Sequence, residues 1–519
     1  MNTSVSASQT PLDAVVIGAG FAGLYALHRL REMGLNVQGF EAGSGVAGTW
    51  YWNRYPGART DSASEVYQYW FSDALLKDWN WSERFPAQAE TERYLNFVAD
   101  RLDLRPMIRF NNRVTHAHWD AAANLWDVRT DQGASVRCRY LLSCLGPLSE
   151  PKVPPFEGHE NFKGRFLHTS RWPKEGIDLS GKRVGVIGTG ATGVQVIQTI
   201  ARQVGELFVF QRTPTYAIAM RNPKLTDADR AEMRTRYSQL RETVKHSLAG
   251  FAFDMQAKAW ADTTKAERRA IFEDLYADGS LVMWGGNFAE VLVDPVANEE
   301  LSEFMREKMR ARLTKPGVAD KLIPTYGFGT RRPPLDCGYL EAFNRDNVHL
   351  VDIKAAPIER FTEAGIRTAD AEYPLDIIVL ATGFDEVPGE DPQHLVQIRA
   401  QRAVHRLLHA EVLVRRRAGG GREAPRRRAE EILVDATGRG VRADRDPAEG
   451  VEDLLRAVGV LGDEVVRRVA CRTDHEATAR ETLADEVVGV ALEAQRDALG
   501  NEGTEAVAGR SGEVDDDRP

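Results

Sequence analysis

Beyond Asp385 the sequence contains no Phe, Tyr, Trp, Lys or Met, although all 20 Phe, 13 Tyr and 10 Trp of its 519 residues occur before that point. A stretch of such length without a Phe, Tyr, Trp or Met side chain offers little large apolar surface to offset the entropy of ordering it. It is built of Arg, Ala, Gly, Val, Glu and Asp, includes the runs Arg415-Arg-Arg and Arg426-Arg-Arg, and shows no sustained heptad. That is the composition of an out-of-frame reading of a GC-rich gene; a natural charged tail and a partner-binding coil are the alternatives. Residues 386–519 are therefore expected to be a non-native or disordered tail produced by a frameshift, with short helices only around Glu452-Asp-Leu-Leu-Arg456 and from Glu476 to Leu492.

Cysteine is scarce. Cys138, Cys144, Cys337 and Cys471 form no C-x-x-C pair and no metal-ligand spacing, which argues against a disulfide redox centre and a metal site and leaves reduced, mostly buried thiols. Positive charge is in deficit, with 67 Lys and Arg against 76 Asp and Glu and a net charge of -9. That balance disfavours nucleic acid or an anionic membrane as partner. There is no apolar run of roughly 18 residues, and Met1-Asn-Thr-Ser-Val-Ser-Ala-Ser lacks the charged start and apolar centre of an export signal. A cytoplasmic protein, monomeric or weakly oligomeric and acting on a small molecule, is the expectation.

What is present begins with Asp13-Ala-Val-Val-Ile-Gly18, an apolar β-branched run that ends in glycine as a buried parallel strand feeding a tight turn does. Gly18-Ala-Gly20-Phe-Ala-Gly23 follows: the first glycine allows the turn, the second a close backbone approach to a pyrophosphate, and the third the packing of helix on strand. A second strand, Asn36-Val-Gln-Gly-Phe40, ends in Glu41, a carboxylate suited to ribose hydroxyls and hostile to a 2′-phosphate. The first nucleotide site thus predicts FAD. The same logic repeats at Lys182-Arg-Val-Gly-Val-Ile-Gly188, Gly188-Thr-Gly190-Ala-Thr-Gly193 and the partner strand Leu207-Phe-Val-Phe210. There the strand ends in Gln211-Arg212-Thr213, and an arginine at that place clamps a 2′-phosphate, so the second site predicts NADPH.

Between the two lies Phe162-Lys-Gly164-Arg-Phe-Leu-His168-Thr-Ser-Arg-Trp172-Pro173, read by itself as a linker with a hydrogen-bonded histidine. Gly48-Thr49-Trp50-Tyr-Trp-Asn-Arg-Tyr-Pro-Gly-Ala-Arg-Thr-Asp61 has neither helical nor strand periodicity and reads as a loop over a ligand, or else as an aromatic cluster under a surface loop. Other strands are expected near Ile108-Arg-Phe110, Leu125-Trp-Asp-Val128, Tyr140-Leu-Leu-Ser-Cys144, Asn347-Val-His-Leu-Val351 and Leu375-Asp-Ile-Ile-Val-Leu380. From about Leu225 to Leu322 the pattern is helical, with Thr264-x-x-Glu267 as a capping box and Asn298 as an N-cap; Phe251, Phe253, Trp260, Phe272 and Trp284 are expected in its core.

The motif F-x-G-x-x-x-H-x-x-x-W-P between two G-x-G-x-x-G signatures resembles the fingerprint of Baeyer–Villiger monooxygenases, over about residues 12–385. The resemblance implies an α/β fold of two Rossmann-like dinucleotide-binding domains with a helical insertion. Residues 1–147 would form the N-terminal part of an FAD-binding domain; 148–222 and 326–380 an NADP-binding domain; 223–325 the insertion; and 381–385 the return to the FAD domain. It implies insertion of oxygen beside a ketone carbonyl through a flavin C4a-peroxide, giving an ester or lactone. By the same resemblance Arg332 and Asp61 are catalytic, Asp61 holding the arginine, while Gly48, Thr49, Trp50, Asp61, Tyr67 and Val114 touch FAD. Thr189, Thr192, Gln195, Arg212, Thr213 and Arg331 would touch NADPH, Arg331 standing where the family has lysine. Ser143-Cys144-Leu145-Gly146 departs from the family's Ala-Thr-Gly crossover, whereas Ala381-Thr-Gly-Phe-Asp385 keeps it. The alternatives are an N- or S-oxygenating flavin monooxygenase, whose fingerprint usually lacks the Trp-Pro ending, or an inactive relic that binds NADPH only.

Overall fold

The structure is a computed structural model, and it describes residues 10–247 and 250–384. The expectations for residues 386–519, for Cys471 and for Asp385 lie outside the described residues. β1 (Leu12–Ile17) runs into α1 (Phe21–Glu32) and β2 (Val37–Phe40). After α2 (Thr49–Trp52), α3 (Asp73–Asp78) and α4 (Gln88–Arg101) come β3 (Ile108–Arg109), β4 (Val114–Asp120), β5 (Leu125–Thr130) and β6 (Ser135–Ser143). They form one six-stranded sheet in the order β3-β2-β1-β6-β5-β4. β3, β2, β1 and β6 pair in parallel, and β5 and β4 continue as an antiparallel meander. The parallel strands carry the apolar runs because helices cover them; Ala14, Val15 and Val16 are wholly buried.

The second sheet starts inside the fingerprint, with β7 (Arg165–His168). β8 (Arg183–Ile187), α5 (Ala191–Ile200), β9 (Glu206–Gln211) and β10 (Ile218–Ala219) follow. The helical segment comprises α6 (Asp227–His246), α7 (Lys265–Asp278), α8 (Val282–Gly285), α9 (Pro295–Arg310) and α10 (Ala319–Leu322). The chain returns through β11 (Leu335–Asp336), α11 (Tyr339–Ala342) and β12 (Val348–Asp352). An antiparallel trio, β13 (Ile358–Phe361), β14 (Gly365–Thr368) and β15 (Glu372–Pro374), precedes β16 (Ile377–Leu380). β12-β9-β8-β16-β7 is an all-parallel sheet, and β10 and β11 form a separate pair. Val184, Val186, Val194, Val196, Ile197 and Val209 are fully or almost fully buried in its core, each worth roughly 1.5–3 kcal/mol against exposure.

Three expectations change. The fingerprint is not only a linker: Arg165–His168 is an edge strand, because its Leu167 and His168 register against Val379 and Leu380. Asn298 is not an N-cap. Asp294 caps α9, accepting from Val296 and Ala297, with Pro295 in the first turn, and Asn298 lies within the helix. Cys337 is exposed, while Cys138 is buried and Cys144 is half-buried. The Thr264 capping box forms as read, and Phe272 is buried with Phe251, Phe253, Trp260 and Trp284 packed around the same core.

Candidate active site

The two glycine turns are built alike. Gly18 has φ +98° and donates to Phe40 O at 2.8 Å; Gly188 has φ +107° and donates to Phe210 O at 3.0 Å. A Cβ on Gly18 would lie 2.5 Å from Cys144 O, and one on Gly188 would lie 2.4 Å from Ala381 O. Each turn is thus pressed against the end of the returning strand, which is why both need glycine. Gly23 and Gly193 are equally constrained, since their Cβ atoms would meet Gly18 O at 1.9 Å and Gly188 O at 2.2 Å. The turn carbonyl therefore lies directly beneath the helix. Gly146, the glycine retained in the altered crossover, has φ +71°.

At the first turn Ala47 and Gly48 both adopt positive φ, +98° and +50°, and bring backbone against Gly20: a Cβ on Gly48 would stand 2.9 Å from Gly20 Cα. A non-glycine residue held there is strain stored beside a ligand cradle. Glu41 is buried at the end of β2, where Oε2 accepts from Ala19 N at 2.8 Å and Oε1 from Gly43 N at 2.7 Å. Each oxygen keeps a lone pair, so the carboxylate is oriented and still able to accept ribose hydroxyls. At the second turn a Cβ on Gly190 would meet nothing within 4 Å among the described residues, Thr189 Oγ1 donates to Thr213 O at 3.1 Å, and Arg212 is exposed just after the end of β9. Open backbone at the helix start with an exposed guanidinium at the strand end fits an NADP pyrophosphate and 2′-phosphate, as the Glu41 side fits FAD.

Arg331 lies over the Tyr326 ring at 5.6 Å, and Tyr326 in turn donates to Pro214 O at 3.1 Å. This brings Arg331 to the turn that carries Arg212 and Thr213. Its neighbour Arg332 faces the other site and donates from Nη2 to Asp61 Oδ1 at 2.7 Å. Around that pair stand Trp50 and Tyr67, with Trp50 Nε1 donating to Tyr67 OH at 3.1 Å. Burial raises the Tyr67 phenol pKa; Asp61 also raises it and Arg332 opposes. Thr49 opens α2 next to Gly48, and Val114 opens β4, half-buried, two residues beyond Asn112, whose N–H donates to Glu41 O. Thr192 and Gln195 lie on α5.

The sequence did not point to what Gln195 does structurally. It accepts from Tyr55 OH at 2.9 Å and donates to Arg59 O at 3.2 Å, so a helix of the second nucleotide unit grips the aromatic loop of the first. Burial pushes the Tyr55 phenol up to about 12. A Cβ on Gly57, φ +84°, would meet Gln195 O at 2.5 Å, and this glycine was the available signal. Lys174 and Arg171 add a second clasp, over the rings of Tyr51 at 4.4 Å and Trp52 at 5.0 Å.

His168 is buried at the chain crossings. Its Nδ1 accepts from Ser170 N at 3.2 Å, while Nε2 is buried without a partner among the described residues. Lys152 N donates to Gly383 O at 3.0 Å beside it, joining the outgoing chain to the returning one. Burial lowers the histidine pKa and Arg171 acts in the same sense, against the nearby Gly383 and Lys152 backbone. Phe162 and Trp172 are buried, and Gly164 is obligatory, because a Cβ there would lie 2.4 Å from Asp376 O. Pro173 follows Trp172 and accepts a turn bond from Gly176 N.

Two dinucleotide folds that meet at an arginine–carboxylate pair define a flavin monooxygenase architecture. Residues 13–265 match the flavin-binding monooxygenase-like family model. The acetone monooxygenase (methyl acetate-forming) of Gordonia sp. (strain TY-5) is 52% identical over 384 residues, covering 74% of this chain and 72% of that protein. A Baeyer–Villiger monooxygenase of Pseudooceanicola batsensis is 45% identical over 380 residues, covering 73% and 69%. Among solved structures, OTEMO in complex with FAD and NADP superposes with a TM-score of 0.72 at 45% identity, covering 73% of each chain. The chain belongs to the Baeyer–Villiger monooxygenase family.

Proposed function

We propose that this protein is an FAD-containing, NADPH-dependent monooxygenase that places one atom of O2 between a ketone carbonyl and its neighbouring carbon, giving an ester or lactone and water. The observation that carries the reading is the Arg332–Asp61 pair, set among Trp50 and Tyr67 where the two nucleotide units meet. When bound, FAD supplies the redox chemistry, taking hydride from NADPH and activating O2. The protein's own residues do the rest. Glu41 and the backbone of Gly18, Gly20, Gly23 and Gly48 hold the FAD; Gly188, Gly190, Gly193, Thr189, Thr192, Thr213, Arg212 and Arg331 hold the NADPH. The Arg332 guanidinium stabilises negative charge as it develops on the reacting oxygens; Asp61 fixes where that guanidinium sits. His168 organises the joint, since a neutral imidazole buried at the chain crossings is badly placed to exchange protons with a substrate.

The domain division at residues 147 and 222, the insertion over 223–325, the second part of the NADP-binding domain over 326–380 and the return to the FAD domain over 381–385 are part of this reading, supported by the strand membership of the two sheets. So are a cytoplasmic location, a monomeric or weakly associated state and the lack of a nucleic-acid partner. The net charge of -9 supports the last of these, and no helix among the described residues is long and apolar enough to cross a membrane. A chain that binds NADPH but not FAD is the second reading, favoured by the aromatic-free composition of residues 386–519. The test is the visible spectrum of the purified 519-residue chain together with ketone turnover. A flavin band at one FAD per chain, with ester formed from NADPH and ketone, supports the monooxygenase; a colourless chain that binds only NADPH supports the relic.

A further inference from the structure

The arm that carries the two arginines is pinned from the helical insertion, by residues the nucleotide motifs do not include. Phe328 is buried; its N–H donates to Ser302 Oγ at 2.8 Å and its carbonyl accepts from Asn298 Nδ2 at 2.9 Å. The same Asn298 amide donates to Val291 O at 2.7 Å, and its Oδ1 accepts from Ser302 Oγ at 3.1 Å. The carboxamide is therefore locked in one orientation, with both N–H donors used and its oxygen accepting from Ser302. Gly327 is the neighbour that permits this approach, since a Cβ there would fall 2.3 Å from Asn298 Oδ1. Gly329, φ +84°, lies against the Trp284 indole, where a Cβ would stand 3.0 Å from Nε1.

The far end of the arm is pinned as well. Pro333 and Pro334 are buried, Leu335–Asp336 pairs with Ile218–Ala219, and the buried Asp336 carboxylate takes a bidentate bond from Arg312, at 2.6 and 2.9 Å. Between these anchors lie only the exposed Thr330, Arg331 and Arg332; Thr330 bonds back to Gly327 O through its N–H at 3.3 Å and its hydroxyl at 2.7 Å, which leaves the two arginines to reach outward. An exposed arginine on a short, doubly anchored arm spends less side-chain and backbone entropy in reaching Asp61 than one on a free loop.

We infer that Asn298, with Ser302, is a positioning residue for Arg332, clamping the near end of the arm so that the guanidinium meets Asp61. The inference rests on the reading of Arg332 as the group at the reacting oxygen. Trypsin supplies a direct probe, because the Arg331–Arg332 bond is cleavable only when the arm opens, and Pro333 protects the bond that follows. The full chain, with FAD and NADP+ present, is digested and the appearance of a new terminus at Arg332 followed by mass spectrometry. Asn298→Ala should accelerate that cleavage roughly tenfold and the milder Ser302→Ala roughly fivefold, in line with the loss of three side-chain hydrogen bonds or two. Under turnover both variants should shift product from ester to hydrogen peroxide while NADPH oxidation keeps its rate, a partition that a merely structural lesion would not select. Cleavage at the wild-type rate in both variants overturns the clamp, and faster cleavage with an unchanged partition overturns the positioning role. Intact ester formation by Arg332→Ala would instead overturn the role of Arg332, leaving the clamp measured by cleavage.

Discussion

Arg332 and Asp61 lie 271 positions apart in the chain, yet Arg332 Nη2 donates to Asp61 Oδ1 at 2.7 Å. The arginine side chain is half exposed and the aspartate a quarter exposed, so the pair contributes at most about 1 kcal/mol to stability. Its persistence across two nucleotide units is better understood as placing a cation than as holding the fold together.

Arg332→Ala should therefore leave folding and NADPH oxidation almost intact while ester formation is lost and hydrogen peroxide accumulates. Parallel assays of NADPH consumption, peroxide and ester on one preparation check this. Asp61→Asn should reduce ester formation less severely, since the cation stays and only its anchor weakens.

Arg212→Ala removes an exposed charge at the end of β9 and should raise KM for NADPH by roughly tenfold to a hundredfold, the loss of one charge-assisted contact of about 1.5–3 kcal/mol. KM for NADH should hardly move. Steady-state kinetics with the two nucleotides decide the point, and an unchanged preference for NADPH would move the 2′-phosphate site elsewhere.

Glu41→Arg should abolish FAD retention and leave NADPH affinity intact. The variant removes an acceptor from Ala19 N and Gly43 N and puts a cation at a ribose site. The ratio of flavin to protein by absorbance, with a nucleotide titration of the same sample, tests it; equal loss of both ligands would contradict the assignment of two separate sites.

His168 supplies a pH dependence. Burial, reinforced by Arg171, lowers its folded pKa below the unfolded value of about 6.5, so protonation favours the unfolded chain. The stability that this group contributes is fully present above that value and is lost as pH falls below it toward the folded pKa. Between about pH 7.5 and about pH 5.5 the wild-type Tm should drop more steeply than that of His168→Gln, which has no such proton to take up. Parallel slopes by calorimetry would show that His168 is not held neutral by the fold.

Much of this was legible because local chemistry and global fold agree. The runs became the strands Leu12–Ile17 and Arg183–Ile187, buried over their last four residues, and the paired glycines sit where backbone carbonyls leave no room for a Cβ, so spacing alone located both turns. What stayed hidden depends on tertiary partners. The fingerprint became an edge strand only because β16 offers it a register, and that partner lies some two hundred residues on, beyond any local rule. Asn298 precedes acidic residues and looks like a cap, but Asp294-Pro295 claims the helix start and frees the carboxamide to hold Phe328. Gln195 reads as part of a nucleotide-binding helix, and its bonds to Tyr55 and Arg59 could not be seen without both units in place.

The most direct test of the account is turnover under 18O2 of the full chain with FAD, NADPH and a small panel of linear and cyclic ketones, wild type beside Arg332→Ala. The account predicts an ester or lactone carrying one 18O atom for each NADPH oxidised by the wild type, and unlabelled ketone with stoichiometric hydrogen peroxide from the variant. Labelled ester formed equally well by the variant, or NADPH oxidised by the wild type with every ketone returned unchanged, would contradict it.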